Sequence, residues 1–122
     1  MSYSRWIFVG VLVALIAAAV AYRGLALLAF PMGTGRYGDS PDGNYRAHAS
    51  NMYEENFWGI PNYYYQFEVH AKNGRLLRSR QIPEPFAAVD FREGEGQIMW
   101  AENSRSVSFG TPDNVIWSTP VP

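Results

Sequence analysis

Apolar and polar positions divide the chain into two parts with different periods. From Trp6 to Tyr22, WIFVGVLVALIAAAVAY, seventeen residues pass without a charged or strongly polar side chain. As a helix this run covers about 25 Å, near the lower limit for crossing a hydrocarbon layer of about 30 Å. RGLALLAF carries the apolar character to Phe30, with Arg23 as its one interruption. A helix continued through Leu28 is long enough to span, with the Arg23 guanidinium reaching to the headgroups along its aliphatic stem. Pro31 and Gly33 stop it. The pattern predicts a membrane anchor over residues 1–30. The same start fits a cleaved signal, with Arg5 before the apolar run and Ala19-Val20-Ala21 in small-x-small form. Retention is favoured because cleavage would leave Leu25–Phe30 as an exposed apolar beginning. A buried helix of a soluble protein is disfavoured, since so small a chain cannot surround a helix apolar on every face.

Beyond the anchor the period changes from helical to two. Residues 31–44 are dense in Gly, Pro, Asp and Ser and read as a linker. Ser40-Pro41-Asp42-Gly43 is a turn: proline suits its second position, Asp bonds back to the backbone and Gly accepts positive φ. It launches Tyr45–Ser50, where Tyr45, Ala47 and Ala49 alternate with Arg46 and His48. Residues 51–62 break the alternation and predict a helical turn or irregular loop carrying Phe57, Trp58 and Ile60. Tyr63–Ala71 is the clearest strand, with Tyr65, Phe67, Val69 and Ala71 on one face and Gln66, Glu68 and His70 on the other. Lys72-Asn73-Gly74 reads as a type I′ hairpin corner, and Arg75–Ile82 returns as the antiparallel partner. Pro83-Glu84-Pro85 interrupts pairing. Further strands are predicted at Phe86–Phe91, Gln97–Ala101, Ser106–Gly110 and Val115–Ser118. About six short strands at intervals of roughly 8–12 residues make the expected class all-β. The expected architecture is one transmembrane helix followed by a small antiparallel sandwich or open barrel over residues 45–122.

Charge narrows the partners. From Pro31 onward there are eight basic and eleven acidic side chains, a net charge of −3, with Lys72 the single lysine. Nucleic-acid binding calls for a basic excess, so no nucleic acid is expected. The chain has no cysteine, which fits an extracytoplasmic compartment. Lysine and arginine flank the apolar segment almost equally, so the positive-inside rule decides little. The short N-terminal tail and the signal-like start favour an orientation with the domain on the periplasmic side.

Two stretches, Ser40-Pro41-Asp42-Gly43-Asn44-Tyr45 and Trp100-Ala101-Glu102-Asn103-Ser104-Arg105-Ser106-Val107-Ser108-Phe109, together resemble a known pattern. It is the SPDG-strand … W-x-x-D/N-S-x-x-V-x-F pattern of propeller blades of the TolB kind and of small bacterial membrane-anchored β proteins. The resemblance covers roughly residues 40–118. It implies an order of strands and turns and no reaction, and the unit occurs once, where a propeller needs several.

Candidate chemistry is thin. His48, Glu68 and His70 are the best metal ligands, since zinc takes His and carboxylate in sets of three or four; a solvated strand face explains them better. Glu54-Glu55 and Glu93-x-Glu95 are close carboxylates with nothing to fix a substrate between them. Ser104, Ser106 and Ser108 lack a nucleophile elbow. Arg75, Arg78 and Arg80 are candidates for an anion or lipid headgroup, against a plain wet strand face. Gly33-Thr34-Gly35 is no phosphate loop, lacking the Lys-Ser/Thr that follows one. No enzyme and no cofactor are expected. Tyr53, Phe57, Trp58, Tyr63, Tyr64 and Tyr65 fall within thirteen residues, more than one strand can bury on alternate positions. Tyr and Trp combine apolar area with a polar handle, so Tyr53, Phe57, Trp58, Tyr63 and Tyr64 are the interaction candidates. The expected role is a non-enzymatic, membrane-anchored interaction or assembly subunit that meets the bilayer and another membrane or envelope protein. The alternative is a module binding an envelope ligand, lipid or polymer.

Overall fold

The computed structural model describes residues 3–28 and 31–122. Helix α1 spans Tyr3–Leu28, as the apolar run predicts, and its first 23 residues, Tyr3–Leu25, are long and apolar enough to cross a membrane. Apolar side chains project from it on all sides and remain exposed, Trp6, Leu12 and Leu15 among them.

Seven strands follow: β1 Met32–Asp39, β2 Tyr45–Glu55, β3 Pro61–Ala71, β4 Leu76–Pro83, β5 Gln97–Trp100, β6 Ser106–Thr111 and β7 Asn114–Pro120. They form two antiparallel sheets, ordered β1-β2-β3-β4 and β5-β6-β7, and no closed barrel. The chain resolves into two compact units. One holds α1 together with residues 55–61; the other holds residues 31–54 and 62–122, and with them the body of both sheets.

The core of the larger unit lies between the sheets. Period two on β3 sends Tyr65, Phe67 and Val69 inward, as the sequence predicts, and Ala47 and Ala49 of β2 join them. Val107 and Phe109 of β6 face them from the second sheet. Phe67 has no exposed surface, and its ring stacks on Phe109 at 4.6 Å and meets Phe91 edge-on at 5.5 Å. Burying one such side chain contributes about 1.5–3 kcal/mol, and each well-placed aromatic pair about 0.5–1.5 kcal/mol more.

Four expectations need correction. The segment read as a linker is strand β1 over most of its length, paired with β2 from Met32↔Tyr53 to Asp39↔Arg46. Its glycines serve close approach rather than slack: a Cβ on Gly35 would overlap the Ala49 carbonyl. Strand β2 continues to Glu55 because β1 gives its second half a partner. Residues 86–91 form no strand; they cross between the sheets as an irregular segment held by side chains. Asn51 accepts from the Phe91 N–H at 2.8 Å and donates to the Val89 carbonyl at 2.7 Å, while the Tyr65 hydroxyl accepts from the Val89 N–H at 2.8 Å. The corner at Lys72–Gly74 is a three-residue loop rather than type I′. Gly74 alone has positive φ there, and Ala71 bonds Arg75 across it, the arrangement of a type I turn with a glycine bulge.

Candidate functional site

The outward face of the four-stranded sheet carries a cluster of polar and aromatic groups in mutual contact. The Ser40–Gly43 turn folds β1 onto β2 and fixes their register. The Gly43 N–H donates to the Ser40 carbonyl at 2.9 Å, and the Asp42 carboxylate accepts from the Ser40 hydroxyl at 2.7 Å and the Asn44 N–H at 3.0 Å. These bonds hold the Asp42 carboxyl below its usual pKa, the Asn44 N–H contributing most. With the register set, Asp39 stands opposite Arg46 and Tyr37 opposite His48.

Both pairs make contact. The Arg46 Nε lies 2.8 Å from the Asp39 carboxylate. That guanidinium holds the Asp39 carboxyl below its usual range. Both groups are well exposed, so water and salt screen the pair and it positions the guanidinium more than it stabilises the fold. Arg46 also sits 5.6 Å from the centre of the Tyr37 ring, within cation–π range. Tyr37 also stacks on His48, ring centres 4.2 Å apart and planes 14° from parallel. Burial pushes the His48 pKa down, opposed by the Glu68 carboxylate and assisted by His70. Tyr37 is nevertheless 63% exposed: a ring held in place from below and open above. Beside it lies an open cleft of about 440 Å³, lined by Tyr37, Asp39, Arg46, His70, Ala71 and Lys72. Its size falls in the range of small-ligand sites, and its lining mixes the acid Asp39 with Arg46, His70, Lys72 and the Tyr37 ring.

The candidates read from the sequence are distributed more widely. His48, Glu68 and His70 do share this face, and the His70 Nε2 lies 3.4 Å from Glu68. His48 is engaged by Tyr37 and by the Ser50 hydroxyl at 3.1 Å. Among the described residues no three His, Asp or Glu side chains stand close enough to hold a metal ion. Arg78 and Arg80 pair with Val69 and Phe67, so they lie on the core side of an edge strand rather than on the outward face. Inward charges of this kind discourage pairing with other chains. Arg75 precedes the strand, in the turn. Adjacent on β2, Glu54 and Glu55 point to opposite faces, with Glu54 accepting from Asn62 at 3.2 Å. Glu93 and Glu95 are exposed in the 84–96 segment, and Glu93 lies 3.7 Å from Arg92. Ser104 is buried in a turn, and the hydroxyls of Ser108 and Ser118 bond each other at 3.0 Å on the outer face of the three-stranded sheet, which Ser106 shares.

The aromatic candidates separate into three settings. Tyr53 and Tyr63 form a tilted pair at 5.1 Å on β2 and β3. Phe57 and Trp58 meet edge-to-face at 5.0 Å in the loop that belongs with α1. Tyr64 is 7% exposed; it is a packed residue and leaves the set of interaction candidates. Tyr37, Asp39 and Arg46 were missed because β1 was read as a linker. Counting outward from a closing pair of Ser40 and Tyr45 would have revealed them, since Asp39 and Tyr37 then fall opposite Arg46 and His48.

No protein-family model, curated protein or solved structure matches the chain at a significant level.

Proposed function

We propose that the protein is a non-enzymatic, membrane-tethered recognition module. Its α1 helix anchors it, and its sandwich presents the Tyr37 face to another membrane or envelope protein. The observation that carries this reading is the exposed Tyr37 ring, pre-positioned by His48 and bordered by the Arg46–Asp39 pair. Tyrosine and arginine dominate the energetic centres of protein interfaces, and a ring already fixed loses little freedom on binding. The lack of cysteine fits an extracytoplasmic domain. Protease added to spheroplasts should then digest the sandwich and spare α1; a sandwich protected until lysis places it in the cytoplasm.

The test uses the full chain in its own membranes with a photo-crosslinking amino acid at position 37. One protein should be captured stoichiometrically, and Arg46→Ala should lower its yield about tenfold, the loss of one contact of roughly 1.4 kcal/mol. No product from position 37 ends the reading. A second reading, binding of an envelope ligand or polymer, is favoured by the size of the cleft beside Tyr37. Saturable binding of a small molecule without a protein partner would establish that one instead.

A further inference from the structure

The unit that holds α1 also holds residues 55–61, the tip of the β2–β3 hairpin. The tip is ordered by its own backbone. The Asn56 N–H donates to the Ile60 carbonyl at 3.1 Å, and the Asn56 carboxamide oxygen accepts from the N–H groups of Trp58 and Ile60 at 2.9 and 3.0 Å. Gly59 completes the turn with φ of +77°. A Cβ there would lie 3.1 Å from the Arg23 guanidinium. The tip therefore packs on Arg23, the one charged residue between Trp6 and Leu28. Away from that contact it offers water a large apolar surface: Trp58 is 77% exposed and Ile60 59% exposed.

We propose that this tip is a second membrane contact, with Trp58 and Ile60 seated in the interfacial layer of the bilayer that α1 crosses. The inference rests on the anchored reading of α1. In a spanning helix Arg23 takes its charge to the headgroup level, and whatever packs on that guanidinium shares its depth. Tryptophan is the residue that favours this depth, with its ring among the acyl chains' upper carbons and its N–H wet. The carboxylates of Glu54, just before the tip, and Glu55, its first residue, limit insertion to the interface, because ionised groups are costly in the hydrocarbon layer.

The chain has no cysteine, so single nitroxide labels report single positions. Full-length Trp58→Cys, Ile60→Cys, Ala17→Cys and Asn73→Cys proteins are labelled and reconstituted into vesicles of phosphatidylcholine and phosphatidylglycerol. Collision with oxygen, which concentrates in lipid, is compared with collision with a water-soluble nickel chelate. Position 17 should read as deep lipid and position 73 as water. Positions 58 and 60 should read as lipid at a depth of about 5–10 Å, with nickel access several-fold below that at position 73. Water-like access at 58 and 60 with lipid-like access at 17 overturns the proposal and leaves the anchor standing; water-like access at 17 removes both. In native membranes, protection of 58 and 60 from both reagents would show that a protein covers the tip and would also overturn it. Circular dichroism of each labelled protein confirms that the sandwich is folded.

Discussion

The main-chain N–H of Asp42 donates to the Ser104 hydroxyl at 3.0 Å, joining turns 62 residues apart in the chain. Asp42 closes the β1–β2 hairpin, and Ser104 lies in the turn between β5 and β6. The bond therefore ties the two sheets together at one end of the sandwich. Ser104 is 1% exposed and has a φ of 61°, a left-handed conformation that non-glycine residues seldom adopt. It is the one described non-glycine residue with positive φ. The two stretches that carried the sequence resemblance meet at this bond.

Replacing Ser104 tests whether the hydroxyl or the conformation matters more. Ser104→Ala keeps a Cβ in the left-handed region and leaves the Asp42 N–H without its acceptor, at a cost of about 1–3 kcal/mol. For a domain of this size that corresponds to a fall in melting temperature of about 4–8 °C per kcal/mol. Ser104→Gly relieves the backbone while losing the same bond, so it should fall between wild type and Ser104→Ala. Thermal unfolding of the full chain in detergent, followed by near-ultraviolet circular dichroism, ranks the three. An alanine variant as stable as wild type would show that the hydrogen bond contributes nothing.

Two aromatic residues that look alike in the sequence should behave differently. Tyr64 is buried and Trp58 is largely exposed. Tyr64→Ala should destabilise the sandwich by about 3 kcal/mol, as large-to-small changes at packed sites do. Trp58→Ala should leave the urea midpoint within about 0.5 kcal/mol of wild type, as surface changes do. Equal effects would mean that Trp58 is part of the folded core.

Stability should decline on mild acidification, with His48 as a main source. Its imidazole titrates near 6.5 in the unfolded chain and lower in the fold, where burial disfavours the cation more than Glu68 favours it. Between those two values the unfolded chain binds a proton that the folded chain does not, so stability rises with pH there. The contribution of neutral His48 is complete above about pH 6.5 and is lost as pH falls through the folded value. Asp39 and Asp42, whose folded pKa values are depressed, act in the same sense further down, below about pH 3.9. His48→Gln should flatten the profile below pH 6.5 and leave the lower limb unchanged. Urea titrations at pH 7.5 and 5.5 decide it, and an equally steep variant would move the dependence to another group.

Helix α1 and strand β3 were legible because each has one dominant period and a clear stop: Pro31 after the helix, Asn73-Gly74 after the strand. The alternation of Tyr65, Phe67 and Val69 identified the core face correctly. Strand β1 was not legible. Gly33, Gly35 and Gly38 remove half of its alternating pattern, and its extended form comes from pairing with β2 rather than from its own preferences. The site was hidden for the same reason, since Tyr37 and Asp39 lie in that segment. Residues 86–91 failed in the opposite direction. They contain enough apolar residues to suggest a strand, yet their backbone groups are taken by Asn51 and Tyr65. Only the tertiary fold brings those side chains within reach.

That dependence on Asn51 yields the sharpest expectation for the sandwich. Its carboxamide donates to Val89 and to Glu84 and accepts from Phe91, so a single side chain satisfies backbone groups flanking the Phe91 ring, which has no exposed surface. Asn51→Ala strands the Phe91 N–H and the Val89 carbonyl and should cost about 2 kcal/mol or more. Asn51→Asp keeps the acceptor for Phe91, but at neutral pH it faces the Val89 carbonyl and the Glu84 carboxylate with a second negative charge. It should be the less stable of the two at pH 7. Protonation restores one donor, so Asn51→Asp alone should gain stability relative to wild type as the pH is lowered towards 5. Melting curves at the two pH values measure this, with amide exchange at Phe91 as the local probe. If Asn51→Asp tracks Asn51→Ala at both, the carboxamide is a spacer and the crossing segment is held by the burial of Phe91 alone.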